Sequence, residues 1–188
     1  MTQTFPEPTM NATPARPDNS QVLYTGKEIA VTVERMAGEI SKVYGNEEIT
    51  VVAVLHGALI FCADLMRELN MPVQLETVSA SSYHGASTTS GELSVRVECA
   101  DKLVDRHVLL VEDILDTGRT LTRLSEEVLA VKPKSLRIAA LLDKHERRVT
   151  DIAADFVGFA IPDLFVVGYG LDLDGRYRNL PEIRAIHE

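Results

Sequence analysis

The stretch Val108–Leu121 constrains the fold more strongly than any other part of the chain. It opens with a continuous apolar run, Val108–Val111, which is the pattern of a strand buried on both faces. Glu112 and Asp113 end this run, and small hydroxyl-bearing residues then lead into a helical pattern. A strand that passes through a tight turn into a helix leaves backbone N–H groups free at the turn, and these groups favour a bound anion. The stretch therefore predicts a buried strand, an anion-binding turn and a helix.

The carboxylates of this stretch, on Glu112, Asp113 and Asp116, would repel a phosphate unless they face other groups. Suitable partners are sugar hydroxyls, a divalent cation or a titrating nitrogen, from which Asp116 could take a proton as a general base. The segment Thr117–Thr120 adds two hydroxyls and a glycine at the turn. Together these features indicate a sugar-phosphate site. The alternative is an exposed acidic turn after a buried strand, which the hydroxyl-rich segment disfavours.

Length and composition narrow the class of protein. The 188 residues favour one domain with a substantial core. A net charge of −9 argues against a nucleic-acid binder or a protein that binds anionic membranes. Cys62 and Cys99 are too few for a disulfide framework or a zinc site. Because the sequence has no long apolar run and no signal-peptide pattern at its start, we expect a soluble cytoplasmic protein.

The N-terminal region divides into a tail and the start of the domain. Residues 1–20 are rich in proline and threonine and are predicted to be a disordered tail, and residues 21–188 are predicted to form the domain. Thr25 and Glu28 form a capping-box pattern at the start of a helix that ends near Gly45. The predicted core face of this helix consists of Ile29, Val33, Met36, Ile40 and Val43.

Strand and helix patterns alternate through the rest of the chain, which predicts a mainly parallel sheet with helices on both faces. Ligands of such sheets bind at the carboxyl ends of the strands, where His56, Glu112–Thr120 and Lys144 all fall. The segment 81–92 is polar and without periodicity, which is typical of a functional or disordered loop. The predicted elements are strand Ile49–Leu55, helix Ala58–Leu69, and strands Val73–Ala80, Ser135–Leu142, Phe156–Ile161 and Phe165–Gly168.

Four segments carry a family resemblance. Glu112–Thr120 resembles the diphosphoribosyl-binding signature of the type I phosphoribosyltransferases. With Leu141–Lys144, Pro162–Asp172 and Tyr177–Leu180, the chain from about Val22 to Ile186 resembles the hypoxanthine-guanine phosphoribosyltransferases. The resemblance implies an α/β fold with a mainly parallel twisted sheet and a small hood formed by the chain ends. It also implies purine salvage from phosphoribosyl pyrophosphate and 6-oxopurine bases, a Mg²⁺ cofactor, and a homo-oligomer (dimer or tetramer).

The resemblance also implies roles for residues of the phosphoribosyl half of the site. Glu112 and Asp113 would hold the ribose hydroxyls, and the turn Asp116, Thr117, Gly118, Arg119 and Thr120 would bind the 5-phosphate. Asp172, with Glu112 and Asp113, would hold Mg²⁺. Arg178 and the loop Leu55, His56 and Gly57 would bind pyrophosphate. Family members often carry lysine where this chain has His56, so the contact is assigned to the loop backbone.

In the purine half of the site, the resemblance makes Asp116 the general base at N7 of the purine. Lys144 would donate to the 6-oxygen, Phe165 would stack on the ring, and Ile114 would close the opposite face. Backbone groups near Val166 and Asp172 would contact the edge of the base. Ser82 and Tyr83 would belong to a lid over the reacting centre.

Two other classes of protein remain as alternatives. A non-catalytic regulator on the same fold could sense phosphoribosyl pyrophosphate and bind nucleic acid, but the net charge of −9 leaves little basic surface for this. A receiver-like signalling domain would carry its acidic pair after the first strand. The sequence also disfavours a P-loop enzyme, because the Gly-x-x-x-x-Gly-Lys-Ser/Thr motif does not occur in it.

Overall fold

The computed structural model describes residues 15–81, 94–95 and 99–187. No helix in these ranges is long and apolar enough to cross a membrane. The elements in chain order are β1 (Ser20–Tyr24), α1 (Gly26–Tyr44), β2 (Ile49–Leu55), α2 (Leu59–Glu68), β3 (Val73–Ser81), β4 (Ser94–Val95), β5 (His107–Leu115), α3 (Arg119–Ala130), β6 (Ser135–Asp143), β7 (Phe156–Ala160), β8 (Phe165–Val167) and β9 (Ile183–Ile186).

The main sheet has the strand order β4-β3-β2-β5-β6-β7. Strands β3, β2, β5, β6 and β7 are parallel, and the edge strand β4 is antiparallel to β3. The predicted fold class is therefore confirmed. Because β2 and β5 are adjacent at the centre of the sheet, the segments that follow them lie side by side at its carboxyl edge.

Helices cover both faces of the sheet, and the strand residues alternate between two hydrophobic cores. On β5, Leu109 and Val111 pack into the core that α1 and α2 cover. Val108 and Leu110 pack into the core that α3 covers. Successive side chains of a strand point to opposite faces of the sheet, and here both faces are buried. Every residue of the run is therefore apolar.

Helix α1 begins with the predicted capping box, in which the Thr25 hydroxyl accepts from the backbone N–H of Glu28 and the Glu28 carboxylate accepts from that of Thr25. Its end at Gly45 is also confirmed. The assignment of Val43 to the core is wrong, since Val43 is 48% exposed. Tyr44 takes the inward position instead, because four residues after Ile40 the helix returns to the same face.

Strand β5 is longer than predicted, because the strand pattern in the sequence ends at Val111 whereas the strand continues to Leu115. The neighbouring strand explains the difference. Glu112 pairs with Ala140, and Ile114 and Leu115 pair with the last residues of β6, so backbone hydrogen bonding outweighs the polarity of the acidic residues. Glu112 and Asp113 are therefore held within a strand and not at its end.

A second sheet of three antiparallel strands, β1-β9-β8, forms the hood from the two chain ends. Strand β9 was not predicted, since its sequence is short and mixed in polarity. Residues 15–20 fall in the predicted disordered tail, but Ser20 begins β1 and Arg16 Nε lies 3.0 Å from Glu182 Oε1. The rest of the tail lies outside the described residues.

Candidate active site

A cavity of about 360 Å³ opens at the carboxyl ends of β2 and β5. It brings together residues of four segments that are far apart in the sequence. Its lining consists of Val54–Gly57, Glu112–Gly118, Thr120, Leu121, Asp172 and Arg178. The predicted phosphoribosyl and pyrophosphate residues therefore share one cavity, with the exception of Arg119, the exposed first residue of α3.

The turn between β5 and α3 has the geometry of an anion site. Gly118 precedes α3 with φ +86°, a left-handed conformation that favours glycine. A Cβ at this position would also lie 2.3 Å from Thr150 Oγ1. The carbonyl groups of Asp116 and Thr117 are bound on the other side of the turn, by Arg148 Nε and the backbone N–H of Val149. Because the first N–H groups of a helix have no intrahelical acceptor, those of α3 remain available at the cavity.

The acidic pair Glu112 and Asp113 is buried beside the turn. Asp113 Oδ1 accepts from the backbone N–H of Ile114 at 2.8 Å, whereas Glu112 Oε2 is buried without a hydrogen-bond partner. Burial, and then the neighbouring Asp113 charge, raise the pKa of Glu112 well above its usual range. Burial also raises the pKa of Asp113. The pair therefore favours a ligand that donates hydrogen bonds or carries positive charge.

The loop after β2 packs directly against the acidic pair. A Cβ on Gly57 would lie 1.6 Å from Asp113 Oδ2, so only glycine fits between the loop and the carboxylate. Gly170 has φ +102°, and a Cβ there would lie 2.1 Å from the Gly57 carbonyl oxygen. The Leu55–His56 peptide bond is cis. This packing places the backbone of the loop directly against the Asp113 carboxylate.

Arg178 is held in the wall of the same cavity. Its Nη1 donates to the Gly170 carbonyl at 2.6 Å, and its Nη2 lies 2.6 Å from Asp172 Oδ1. Asp172 Oδ2 accepts from the backbone N–H of Gly175 at 2.8 Å. The guanidinium also favours the charged form of Asp113, and so partly opposes the effect of burial on its pKa. Arg178 is thus an oriented cation beside the acidic pair.

Of the predicted purine residues, Ile114 and Asp172 line this cavity, whereas Lys144, Phe165 and Val166 lie outside its lining. Lys144 is buried, and its Nζ lies 3.5 Å from Asp163 Oδ1. Its backbone N–H donates to the Leu115 carbonyl, which fixes it next to the end of β5. Phe165 is 52% exposed, and the neighbouring Val166 side chain is buried. An exposed aromatic ring and a buried ammonium are each suited to a flat polar base, although neither residue lines the cavity.

Sequence reasoning missed Arg147 and Asp163, which connect the two halves of the site. Arg147 Nε lies 3.1 Å from Asp116 Oδ1, and Arg147 Nη1 donates to Asp163 Oδ1 at 3.2 Å. The hydrogen bond that Asp163 accepts from Arg147 is the main cause of the lowered pKa of Asp163. Sequence reasoning also missed Arg148. No periodicity marks this polar segment, and adjacency to Lys144 was the one available signal.

The carboxylates of the cavity are candidate ligands for the implied Mg²⁺. Glu112, Asp113 and Asp172 line one cavity and offer the hard oxygen ligands that Mg²⁺ prefers. Within the described part of the chain, no three His, Cys, Asp or Glu side chains are grouped closely enough to hold a metal ion. Mg²⁺ usually binds through one or two carboxylates, substrate phosphates and waters. The donors, including the unpartnered Glu112 Oε2, therefore fit a cation that binds together with pyrophosphate oxygens.

Comparison with known proteins establishes the family. The family model for the phosphoribosyl transferase domain matches residues 20–174. This chain belongs to the phosphoribosyltransferase family. The phosphoribosyltransferase fold and a transferase activity, both expected from the sequence, are thereby confirmed.

Individual phosphoribosyltransferases match over almost the whole chain. The chain is 39% identical to the hypoxanthine-guanine phosphoribosyltransferase of Streptococcus mutans, over 89% of this chain and 93% of that protein. It is 41% identical to the hypoxanthine-guanine phosphoribosyltransferase of Bacillus subtilis, over 90% of this chain and 94% of that protein. A solved structure of the Trypanosoma cruzi hypoxanthine phosphoribosyl transferase matches with a TM-score of 0.83 and 36% identity, covering 93% of this chain and 95% of that one. The predicted lid residues Ser82 and Tyr83 lie outside the described residues.

Proposed function

We propose that this phosphoribosyltransferase moves the 5-phosphoribosyl group of phosphoribosyl pyrophosphate onto N9 of hypoxanthine or guanine, giving IMP or GMP and pyrophosphate. The observation that carries the proposal is the grouping of Glu112, Asp113 and Asp116 with the Gly118 turn and Arg178 around one cavity. This combination suits a ligand that carries hydroxyls on a sugar ring between two phosphate-bearing ends. Relatives with this activity in their names support the choice of reaction.

The phosphoribosyl group would be held by its ribose hydroxyls and by its 5-phosphate. The ribose 2′- and 3′-hydroxyls would donate to Glu112 and Asp113, which would satisfy the buried Glu112 Oε2. The 5-phosphate would accept from N–H groups and hydroxyls of the Asp116–Thr120 turn, where the α3 dipole also favours negative charge. This arrangement would fix C1 of the ribose between the pyrophosphate and purine sides of the cavity.

Bond cleavage at C1 produces an oxocarbenium-like sugar and a pyrophosphate leaving group. Arg178 would neutralise charge on the departing pyrophosphate, and the backbone of Leu55, His56 and Gly57 would donate to its oxygens. Mg²⁺, held by Asp172, Glu112 and Asp113, would add charge neutralisation when bound. Asp116 would accept the proton from N7 as N9 of the purine forms the new bond. General-base help of this kind is worth roughly 10²–10⁴ in rate.

The purine would bind next to the reacting centre, between Phe165 and Ile114. The Lys144 ammonium has three donors and no acceptor, so it matches a 6-oxo group and mismatches the 6-amino group of adenine. Backbone carbonyls near Val166 and Asp172 would accept from the 2-amino group of guanine. They would repel the 2-oxo group of xanthine, so xanthine is expected to be a poor substrate.

A non-catalytic regulator that senses phosphoribosyl pyrophosphate is the weaker candidate, since nothing in the site or the relatives favours it. An assay of pyrophosphate release distinguishes the two functions. Phosphoribosyl pyrophosphate and Mg²⁺ are combined with hypoxanthine, guanine, xanthine or adenine in separate reactions. We expect efficient turnover with hypoxanthine and guanine, weak turnover with xanthine and negligible turnover with adenine. Efficient use of adenine would contradict the role of Lys144, and no turnover with any base would contradict the proposed function.

Assembly, lid and location complete the proposal. We propose a homo-oligomer, dimer or tetramer, in the cytoplasm. The T. cruzi structure concerns the role of the C-terminal region in oligomeric state, which supports an oligomer here. Light scattering after size-exclusion chromatography tests the oligomeric state, and a monomer at micromolar concentration would contradict the proposal.

We further propose that Ser82 and Tyr83 belong to a lid that excludes water from the reactive sugar.

A further inference from the structure

Arg148 is a buried arginine that contacts the turn of the active site but does not line the cavity. Its side chain is 8% exposed. Nε donates to the Asp116 carbonyl at 3.0 Å and Nη2 to the Leu115 carbonyl at 3.2 Å. Nη1 donates to the Ile152 carbonyl at 2.6 Å, and Nη2 also pairs with the Asp143 carboxylate. One side chain therefore joins the end of β5, the end of β6 and the segment 145–152.

The contacts of Arg148 determine the path of the backbone into the turn. The Leu115 carbonyl shares a peptide unit with the N–H of Asp116, and the Asp116 carbonyl shares one with the N–H of Thr117. Each peptide is planar, so a fixed carbonyl also fixes the direction of the N–H group on the opposite side of the same unit. Arg148 Cδ further lies 2.8 Å from where a Cβ on Gly118 would be, so the side chain packs under the turn itself.

The same contacts connect the turn to the purine half of the site. The Leu115 carbonyl accepts from both Arg148 Nη2 and the backbone N–H of Lys144. The carboxylate that pairs with Arg148 belongs to Asp143, the residue before Lys144. Val149, the next residue, donates its N–H to the Thr117 carbonyl. The position of the turn and the position of Lys144 therefore depend on one guanidinium.

We propose that Arg148 is a positioning residue for phosphoribosyl binding, which holds the Leu115 and Asp116 carbonyls so that the N–H groups of the following turn point at the 5-phosphate. This inference rests on the proposed function, because it takes the Asp116–Thr120 turn as the phosphate site. An arginine suits the task because its planar fork donates to several acceptors at fixed angles, which a lysine ammonium does not reproduce.

Arg35 provides a matched control for an arginine with a purely structural role. It also donates to two backbone carbonyls, those of Val157 and Gly158, and pairs with a carboxylate, that of Glu39. These partners lie in α1 and β7, away from the cavity. Arg35→Lys removes the same kind of contact and is expected to change stability without changing ligand binding.

The experiment compares wild type, Arg148→Lys and Arg35→Lys. Lysine at position 148 keeps the charge opposite Asp143 and loses the fork to the carbonyls. The measurements are the Kd for ribose 5-phosphate by calorimetry, KM and kcat for phosphoribosyl pyrophosphate, and thermal unfolding. Since small misplacements of binding groups cost up to about 100-fold, we expect Arg148→Lys to raise Kd and KM by about 10- to 100-fold. We expect kcat at saturation to change much less, because the lost interaction acts in both ground and transition states.

Each outcome decides the inference. Unchanged Kd and KM in a folded Arg148→Lys protein, with a loss of stability like that of Arg35→Lys, would overturn it. If Arg148→Lys does not fold, the double variant Asp143→Asn with Arg148→Met removes both charges of the ion pair and is expected to show the same weaker binding. Wild-type affinity in this variant would overturn the role. Wild-type protein that binds neither ribose 5-phosphate nor phosphoribosyl pyrophosphate would refute the proposed function itself, and this inference with it.

Discussion

At the scale of single residues, the site concentrates groups that destabilise the free protein. Glu112 and Asp113 are adjacent, buried and acidic, and Glu112 Oε2 has no hydrogen-bond partner. A buried carboxylate without a donor costs free energy, so stability alone would not select this arrangement. The ribose hydroxyls that we propose as partners would supply the missing donors.

Glu112→Gln is therefore expected to stabilise the free protein. The folded pKa of Glu112 lies above the unfolded value of about 4.3, so the folded state binds more protons between the two values and wild-type stability falls as pH rises through that interval. Glutamine has no charge to bury, so it removes this fall. At the high-pH end of the interval it should raise the free energy of unfolding by about 1–3 kcal/mol relative to wild type. Urea unfolding across pH measures the effect, with Glu126→Gln on the exposed face of α3 as control. A Glu112→Gln protein less stable than wild type at neutral pH would contradict it.

Asp116→Asn tests the proposed general base, because it keeps the shape of the side chain and removes its ability to accept a proton. We expect kcat with hypoxanthine to fall by roughly 10²–10⁴. The affinity for ribose 5-phosphate, measured by calorimetry, should change little, since backbone N–H groups make most of the proposed contacts. Turnover within a few-fold of wild type would show that Asp116 is not the base.

At the scale of elements, two loops and strand β5 interlock at the carboxyl edge of the sheet. The loop after β2 packs on β5 through Gly57 and Asp113, and the segment before Asp172 packs on that loop through Gly170. Glycine is required at both contacts because a Cβ would overlap a carboxylate or a carbonyl. The acidic pair, the pyrophosphate loop and Arg178 are thereby positioned relative to one another.

Gly57→Ala should disrupt this packing, since its Cβ would lie 1.6 Å from Asp113 Oδ2. We expect KM for phosphoribosyl pyrophosphate to rise by about 10-fold or more, because Asp113 or the loop must move. Gly38→Ala is the control, as a Cβ there has no atom within 4 Å and alanine should stabilise α1 by about 0.5–1 kcal/mol. Equal KM values for wild type and Gly57→Ala would contradict the proposed role of this packing.

At the scale of the whole molecule, the hood and the main sheet share one hydrophobic core. Val166, Leu171 and Ile183 of the hood and its connections belong to the same core as the buried face of α1. Tyr24 of β1 also stacks on Phe159 of β7, with ring centroids 3.8 Å apart. Within the described residues, the hood is therefore packed into the core of the main sheet.

We expect one cooperative unfolding transition as a result. Near-UV circular dichroism of the tyrosines and far-UV circular dichroism should give the same urea midpoint. Ile183→Ala should lower the free energy of unfolding by about 2–5 kcal/mol for both signals, because Ile183 is fully buried. Val31→Ala, at a position 67% exposed, should have little effect. Separate transitions for the two signals would contradict the shared core.

Local sequence determined the elements that depend on near neighbours. The apolar run Val108–Val111, the capping box at Thr25 and the Thr-Gly-Arg-Thr turn are each specified within a few residues, by side-chain period, a cap or a glycine conformation. The motif Glu112–Thr120 was sufficient to indicate the family. These features follow from the sequence because their energetics are local.

Tertiary structure alone decided the features that depend on partners far along the chain. Strand β5 extends to Leu115 because β6 supplies hydrogen-bond partners, and β9 forms because β1 and β8 lie on either side of it. Arg148 and Asp116 are 32 residues apart, and no spacing rule connects them. Which polar side chain reaches which carbonyl depends on how the packed core orients the two segments, and that orientation is set by the sum of many contacts across the fold.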